Sequence, residues 1–261
     1  MNQNKNKSLI TQLRDATRSA VALPPIGHEA LDVLDGYFLQ CLALNQRLIS
    51  GEKLTGWKVA FSGAAAQKRF GLNEPVFGAL TDVMRVEAQG SVDLALLIQP
   101  KLEVELAFVV GHSLIPGDYS DDEILAAIAE VAPAFEIADC RWEGWSFGAG
   151  AFLADNAAAG FYCMGQIQKF DPVQHASVSY RLECEGMICG AGDTDEREDA
   201  PLVNLCWLIR RLLADGHPLE AGHVILSGAL LPPMNIQPAQ YRLHMLGTEL
   251  ALGFKAPSGA T

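Results

Sequence analysis

The sequence of 261 residues lacks any long apolar run. Its apolar stretches, such as residues 94–98 and 106–110, are far shorter than the ~20 residues that a membrane-spanning helix needs. No continuous apolar segment of the signal-peptide kind follows the polar residues 1–7. We therefore expect a cytoplasmic protein that has no membrane partner.

Cysteine motifs and clusters of basic residues are missing too. The six cysteines have no C-x-x-C spacing, which argues against a zinc knuckle or a redox pair, and we expect free thiols. Acidic residues outnumber basic ones by 31 to 19, the formal charge is -12, and no Lys/Arg-rich run occurs. Because this charge repels phosphate backbones, we expect no nucleic-acid partner.

The order of hydrophobic patterns predicts an α+β protein. Apolar residues recur at helical spacing through residues 9–48, with a break at residues 22–27. After Gly51, short alternating or β-rich runs are bounded by glycine, proline, asparagine and aspartate. A helical N-terminal region is therefore expected to pack onto a sheet-dominated body.

Two helices are predicted within the β-rich body. One covers residues 121–131 and begins with a capping box formed by Ser120 and Glu123, and the other covers residues 201–215. The glycines of residues 144–150 lack the spacing and context of a nucleotide-binding loop. That segment is predicted to be a flexible surface loop.

Two carboxylates share one face of a predicted strand. Polar and apolar residues alternate through residues 101–108, so that Glu103 and Glu105 project to the same side. This spacing alone favours an ordinary half-exposed strand. However, the next strand-like run, residues 131–139, places Glu136 among alanines, where an ion has space and a buried unpaired charge is costly. Three carboxylates with no histidine on either strand favour Mg²⁺ or Mn²⁺ over zinc.

A lysine inside an apolar run is the next candidate. Lys58 stands between Trp57 and Val59, and its pattern leaves two interpretations open. The side chain either extends to solvent from a strand edge, or it pairs with a substrate carboxylate and exchanges protons. Asp155 and Asn156 could orient a water molecule, although a turn is the simpler interpretation.

Five segments occur in the order found in one enzyme family. They are Gly56-Trp-Lys-Val59, Glu103-Val-Glu105, Pro133-Ala-Phe-Glu-Ile-Ala-Asp139, Asp155-Asn-Ala157 and Val224-Ile-Leu-Ser-Gly-Ala229. Over nearly its whole length the chain resembles the 2-keto-4-pentenoate hydratases and 4-oxalocrotonate decarboxylases of the fumarylacetoacetate hydrolase superfamily. The resemblance implies a small helical N-terminal domain, residues 1–75, and a mixed β-roll catalytic domain, residues 76–261.

The resemblance also implies a metal chemistry. Glu103, Glu105 and Glu136 would bind Mg²⁺ or Mn²⁺, and the metal would chelate the carboxylate and 2-oxygen of a dienoate from aromatic meta-cleavage. Lys58 matches the family's lysine and would contact the substrate carboxylate or help to move a proton. Negative charge on the 2-oxygen would thus be stabilised in the transition state.

The expected activity is hydration of a 2-hydroxy-2,4-dienoate to a 4-hydroxy-2-oxo acid. Asp155 and Asn156 match the family's Asp-Asn-Ala segment and are expected to line the site, and Asp82 is a weaker candidate of the same kind. The resemblance further implies a homo-oligomer, and a complex with a partner enzyme of the same pathway is an additional expectation.

The chain departs from the family pattern near these residues. Ala64, Ala158 and Ala159 stand where typical members carry a lysine and two serines. Polar groups that would face the substrate are therefore missing, while the three glutamates and the lysine are kept. We expect a divergent member whose substrate carries a different or more apolar substituent.

Three alternatives stay open. A decarboxylase would use the same electron sink to release carbon dioxide, and the sequence does not separate it from a hydratase. A carbon–carbon hydrolase of the acylpyruvase type would need a His-Glu dyad near the metal, for which His28-Glu29 is the one adjacent pair, although it is more typical of a helix start. A non-catalytic ligand-binding relative is favoured by the lost polar residues and disfavoured by the retention of Lys58 together with all three glutamates.

Overall fold

The computed structural model of the protein describes residues 3–27 and 30–257. Two helices, α1 (Gln3–Ser19) and α2 (Val33–Ile49), open the chain and confirm the helical N-terminal region. The carboxylate of Asp32 accepts a hydrogen bond of 2.7 Å from the Asp35 N–H, which fixes the beginning of α2. No helix in the described ranges is long and apolar enough to cross a membrane.

Strands dominate the rest of the chain. In chain order the remaining elements are β1 (Leu54–Ala60), α3 (Ala64–Phe70), β2 (Val76–Thr81), β3 (Arg85–Val86), β4 (Ser91–Asp93), β5 (Pro100–Val110), α4 (Asp121–Ala126), β6 (Ile128–Asp139), α5 (Ala149–Ala154), β7 (Ala159–Met164), β8 (Gln168–Lys169), β9 (Ser179–Cys184), β10 (Met187–Asp193), α6 (Pro201–Ala214), β11 (Val224–Leu226), β12 (Met234–Asn235), β13 (Gln240–Met245) and β14 (Thr248–Lys255). Short 3₁₀ turns connect several of them.

The main sheet curls onto itself. Its strand order is β2-β1-β11-β5-β6-β7-β3, with β12 added to β5 and β8 to β6. Its two outermost strands, β2 and β3, are joined directly by the single turn Asp82–Met84. In addition, the Thr55 Oγ1 of β1 lies 3.1 Å from the Tyr162 hydroxyl of β7, although three strands separate β1 from β7 in the sheet. The sheet mixes parallel and antiparallel pairs, so the predicted α+β fold with a mixed β-roll is confirmed.

A second sheet covers the outer face of the main sheet. Its strand order is β10-β9-β13-β14-β4. The core between the two sheets and α6 contains Val104 and Phe135 of the main sheet, Leu182 and Leu243 of the second sheet and Leu208 of α6, all buried. Because side chains on a strand alternate, this apolar packing directs the other face of β5 and β6 into the enclosed side of the roll.

Two sequence predictions need correction. The capping box of Ser120 and Glu123 is present, but α4 ends at Ala126 and β6 already begins at Ile128, because β6 pairs with β5 over nearly its full length. Residues 144–150 are not simply a surface loop, since a Cβ at Gly150 would lie 2.2 Å from the Asp32 carbonyl oxygen. The glycine there permits close packing of α5 against the beginning of α2.

The predicted domain boundary falls after a strand of the main sheet. β1 precedes residue 75, yet it pairs with β2 on one side and with β11 on the other. Residues 54–60 are therefore part of the same sheet as β5 and β6. The division of the chain at residue 75 stays a prediction.

Candidate metal centre

Three glutamates lie together on the enclosed face of the main sheet. Glu103 of β5 is directly opposite Glu136 of β6 in the strand register, and Glu105 follows two residues later on the same face. One carboxylate oxygen from each residue lies within 4.8 Å of the other two. Glu105 and Glu136 are fully buried and Glu103 is partly buried. The register between β5 and β6 thus brings together all three glutamates that the sequence singled out.

Alanines surround the carboxylates on this face. Ala134 lies opposite Glu105, and the next pair in the register is Ala107 with Ala132. All three alanines are completely buried. They belong to a buried apolar cluster with Leu80, Met84, Tyr162 and Leu226, so the carboxylates border an apolar environment inside the roll.

Lys58 reaches the same face from β1. It is in register with Leu226 of β11, which in turn is in register with Ala107 of β5. Its ammonium lies 2.9 Å from the Glu136 Oε1 and donates a 3.1 Å hydrogen bond to the Ala157 carbonyl oxygen. Only 1% of the residue is exposed, so it does not extend to solvent from a strand edge.

The buried charges shift each other's pKa values. Burial alone would lower the pKa of Lys58, but attraction to the three glutamates outweighs it and raises the pKa. Burial and then the charge of Glu136 raise the pKa of Glu103 to about 7. Burial and the charges of the other two glutamates also raise the pKa of Glu105 well above its ordinary value. The cluster therefore resists holding three negative charges on its own.

The residues present fit a divalent cation. Among the described residues, Glu105 Oε1 and Glu136 Oε2 are buried carboxylate oxygens with no hydrogen-bond partner. Three carboxylates and one ammonium leave two negative charges in a buried place, where uncompensated charge costs several kcal/mol per ion. A doubly charged ion that prefers oxygen ligands, such as Mg²⁺ or Mn²⁺, would balance these charges and bind the free oxygens.

We expect metal-free protein to lose stability relative to a Glu103→Gln variant as the pH rises from 5 to 8. The folded-state pKa of Glu103 is about 7, above its ordinary value of 4.5, so between these values the folded chain binds more protons than the unfolded chain. The resulting destabilisation is absent below pH 4.5 and complete above pH 7.

Thermal unfolding in the presence of a chelator measures this effect. The melting temperatures of the two proteins should agree at about pH 4, and the variant should melt about 5 °C higher at pH 8. An equal difference at both pH values would contradict the expected titration of Glu103.

Asp155 lies in a buried ion pair. Its carboxylate accepts hydrogen bonds from the Nε and the backbone N–H of Arg141. The same guanidinium also donates to the backbone carbonyls of Asp139, Asp155 and Ala159. Burial raises the pKa of Asp155 to about 6, although Arg141 acts in the opposite direction. Asp155 thereby anchors the chain between α5 and β7.

Asn156 and Asp82 also bond to backbone groups. The Asn156 side chain accepts from the N–H of Ala79 and donates to its carbonyl, each at 2.8 Å. Asp82 is exposed and accepts a 2.9 Å hydrogen bond from the Lys53 N–H. In the described ranges the side chains of Asp155, Asn156 and Asp82 make no hydrogen bond to the three glutamates. Their roles in the site stay predictions.

His28-Glu29, the dyad of the hydrolase alternative, lies outside the described residues.

Groups of the two residues that follow strand β11 were missed by the sequence interpretation. The Gly228 N–H donates a 2.7 Å hydrogen bond to the Glu105 Oε2. Gly228 has a φ of 91°, which glycine adopts without strain. Next to it, the Ser227 Oγ accepts from the Leu106 N–H at 3.0 Å, and the Asn204 side chain donates to the Ser227 carbonyl at 2.8 Å. The Ser-Gly pair of the fifth segment was the available signal, but it carried no assigned role.

Comparison with known proteins identifies relatives over most of the chain. A 2-hydroxyhexa-2,4-dienoate hydratase of Comamonas testosteroni is 35% identical over 227 residues, which cover 85% of this chain and 86% of the hydratase. A 2-keto-4-pentenoate hydratase of Paraburkholderia xenovorans (strain LB400) is 31% identical over 252 residues, 95% of this chain and 93% of the relative. This chain belongs to the 2-keto-4-pentenoate hydratase and 4-oxalocrotonate decarboxylase family. No protein-family model matches the chain.

These relatives confirm both predictions made from the five segments, the family and the lyase class. The fold agrees as well. A structure of 4-oxalocrotonate decarboxylase from Pseudomonas putida G7, complexed with magnesium and adipate, superposes with a TM-score of 0.89 at 23% identity, covering 97% of this chain and 98% of that chain. Both chains therefore share one fold over nearly their whole length.

Proposed function

We propose that this protein is a divalent-metal-dependent hydratase that converts a 2-hydroxy-2,4-dienoate into a 4-hydroxy-2-oxo acid. The observation that carries the proposal is the buried cluster of Glu103, Glu105, Glu136 and Lys58. Its charge and its free carboxylate oxygens suit a divalent ion together with an anionic substrate. Hydratases related to the chain support the reaction type.

The three glutamates would hold the metal. When bound, the ion would supply Lewis-acid chemistry by stabilising negative charge on the substrate's carboxylate and 2-oxygen. The Gly228 N–H restricts the rotation of the Glu105 carboxylate by occupying its Oε2, which leaves Oε1 free. Glu136 would serve two partners, since its Oε1 faces Lys58 and its Oε2 has none.

Lys58 would act on the substrate directly. An ammonium has three N–H bonds; one donates to the Ala157 carbonyl, and the charge of the group pairs with the Glu136 carboxylate at 2.9 Å. Among the described residues the ammonium therefore keeps an N–H that can donate to a further acceptor. We assign it to the substrate carboxylate or to transfer of the proton that moves when the 2-enol ketonises, before water adds at C4 and a proton at C3.

We further propose that the group at the distal end of the substrate is apolar. Ala158 and Ala159, which replace the serines of typical members, are buried next to the Ala157 carbonyl that binds Lys58. Ala159 belongs to the same buried apolar cluster as Ala107, Ala132 and Ala134, so a methyl group would replace a hydroxyl near the carboxylates, whereas Ala158 packs in a separate cluster with Phe152. Ala64 is exposed at the beginning of α3, so its replacement of a lysine removes a charge at the surface.

Three substrates test the reaction and the substituent. The purified protein with Mg²⁺ or Mn²⁺ is incubated with 2-hydroxypenta-2,4-dienoate, with 2-hydroxyhexa-2,4-dienoate and with 2-oxo-3-hexenedioate, while dienol absorbance is followed and products are identified by mass spectrometry. We expect the first two to gain one water each and the diacid to react at least about 10-fold more slowly, because a second carboxylate would be desolvated without a partner.

The same assay distinguishes the alternatives. Carbon dioxide release from the diacid, without hydration of the other two compounds, would make the protein a decarboxylase. No turnover of any of the three, with bound metal demonstrated, would reject the lyase proposal. Activity on an acylpyruvate that is lost in a His28→Ala variant would instead identify a hydrolase.

Assembly is a separate proposal. The family resemblance suggests a homo-oligomer and a complex with a partner enzyme of the same pathway. Light scattering of the purified protein, alone and mixed with the enzyme that follows or precedes it in the reaction sequence, tests both.

A further inference from the structure

Three consecutive residues adopt the left-handed backbone conformation next to Lys58, and none of them is glycine. Asn156, Ala157 and Ala158 have φ values of 53°, 52° and 56°. The Ala158 N–H closes this turn on the Asp155 carbonyl at 3.0 Å. Alanine adopts this conformation rarely, because its Cβ then crowds the following carbonyl oxygen. A strained run of this kind persists only when its surroundings hold it in place.

Contacts on both sides hold the turn. Before it, Asp155 is held by Arg141 through its carboxylate and its carbonyl. Within it, the Asn156 side-chain amide accepts a hydrogen bond from the Ala79 N–H on β2 and donates one to the Ala79 carbonyl. The backbone of a neighbouring strand makes the same pair of hydrogen bonds. The turn is therefore fastened to β2 by a side chain that mimics backbone pairing.

Gly78 lets the turn approach β2 at the strand position of Lys58. Gly78 and Lys58 are direct partners in the register between β2 and β1. A Cβ at Gly78 would lie 2.5 Å from the Asn156 carbonyl oxygen and 3.2 Å from the Ala157 Cβ. Only a residue without a side chain permits this contact, because backbone atoms of the turn occupy that space.

The turn contacts the candidate active site at its middle residue, where the Ala157 carbonyl accepts a 3.1 Å hydrogen bond from the Lys58 ammonium. We propose that the turn Asn156–Ala158 positions Lys58, and that Asn156 and Gly78 are positioning residues for the reaction. The hydrogen bond to the Ala157 carbonyl and the ion pair with Glu136 fix the position of the ammonium, so that a remaining N–H can donate to the substrate carboxylate. This inference rests on the proposed function for the identity of the substrate.

A double-mutant cycle between Asn156→Gly and Lys58→Met tests the proposal. Glycine keeps the left-handed conformation and removes only the bonds to Ala79. In the wild-type background we expect Asn156→Gly to lower kcat by about 10- to 100-fold, the cost of misplacing a catalytic group by about 1 Å. In the Lys58→Met background it should change kcat less than about 2-fold, because no ammonium remains to be positioned.

Binding of oxalate to Mn²⁺-loaded protein gives a second readout that needs no turnover. Oxalate offers one oxygen from each of its two adjacent carboxylates. These oxygens correspond to the carboxylate oxygen and the 2-oxygen of a planar 2-oxo acid. Asn156→Gly should weaken oxalate binding by roughly 3- to 10-fold in the wild-type background and leave it unchanged in the Lys58→Met background. If no dienoate is turned over, the proposed function fails, and this cycle still decides whether the turn positions Lys58.

Gly111→Ala is the matched control. A Cβ at Gly111 would lie 2.6 Å from the Ala129 Cβ, which is about as close as the 2.5 Å contact of a Cβ at Gly78. Gly111 follows β5 directly and is not part of the turn. This variant should lower the melting temperature and leave kcat and oxalate binding unchanged. Equal losses from Asn156→Gly in both backgrounds, or a similar loss of kcat in Gly111→Ala, would overturn the proposal. If Asn156→Gly does not fold, Gly78→Ala takes its place in the cycle, with the same outcomes.

Discussion

Glu105→Gln is expected to abolish metal binding and turnover while the fold survives. Glutamine keeps the shape of the side chain, and the Gly228 N–H, which donates to the Glu105 Oε2 at 2.7 Å in the wild type, can donate to the amide oxygen instead. The variant loses the negative charge that makes the free Oε1 a ligand for a hard cation. Even changes outside the ligand shell reduce metal affinity by about 10- to 100-fold, so removal of a ligand should cost at least about 100-fold.

Mn²⁺ titration followed by electron paramagnetic resonance measures the affinity, and circular dichroism checks the fold. We expect kcat/KM for the dienoates to fall by at least about 1000-fold. Glu130→Gln is the matched control, since Glu130 lies on β6 in register with Val109, six residues before Glu136 and so roughly 20 Å away along the strand. Unchanged Mn²⁺ affinity in Glu105→Gln would show that the metal binds elsewhere.

Metal-free Glu105→Gln should be at least as stable as the metal-free wild type. Burial and the other two glutamates oppose ionisation of Glu105, which is why its pKa is raised. Removal of that charge relieves repulsion in a cluster that contains a single ammonium. The variant therefore separates the role of the carboxylate in metal binding from its role in the folded structure.

The sequence predicted those parts of the site that depend on local alternation. Glu103 and Glu105 share a face because strand side chains alternate, and that argument needs no knowledge of the fold. The same alternation predicted that Glu136 lies among alanines. The direct pairing of Glu103 with Glu136 depends on the register between two strands. That register shifts at a bulge between Val109 and Val110, which the alternation within one strand does not reveal.

Contacts between distant strands were beyond the sequence interpretation. Lys58 reaches the glutamates only because β11, from near the end of the chain, inserts between β1 and β5. The Gly228 N–H and the Ala157 carbonyl are backbone groups, so their roles depend on where the folded chain places them and not on side-chain chemistry. Pattern reasoning also extended the predicted helix 121–131 into β6, since an apolar run of that length suits either structure until its partner strand is known.

Lys58→Met is expected to lower kcat by about 100- to 1000-fold while Mn²⁺ still binds. Loss of the metal centre would instead abolish Mn²⁺ binding together with turnover. Methionine fills a similar volume without a charge. In the wild type the ammonium lies 2.9 Å from the Glu136 Oε1 and competes electrostatically with a metal for that carboxylate. Without it, Mn²⁺ affinity should be unchanged or higher.

The stability of Lys58→Met should depend on metal. Removing one partner of a buried ion pair costs about 3–5 kcal/mol, because the remaining charge has no compensation. In the metal-free variant that charge is on Glu136, and a divalent cation can replace the lost ammonium. Addition of Mn²⁺ should therefore raise the melting temperature of the variant by more than it raises that of the wild type, as measured by differential scanning calorimetry. If Lys58→Met instead loses Mn²⁺ binding as Glu105→Gln does, Lys58 shapes the metal centre and its assignment to the substrate is wrong.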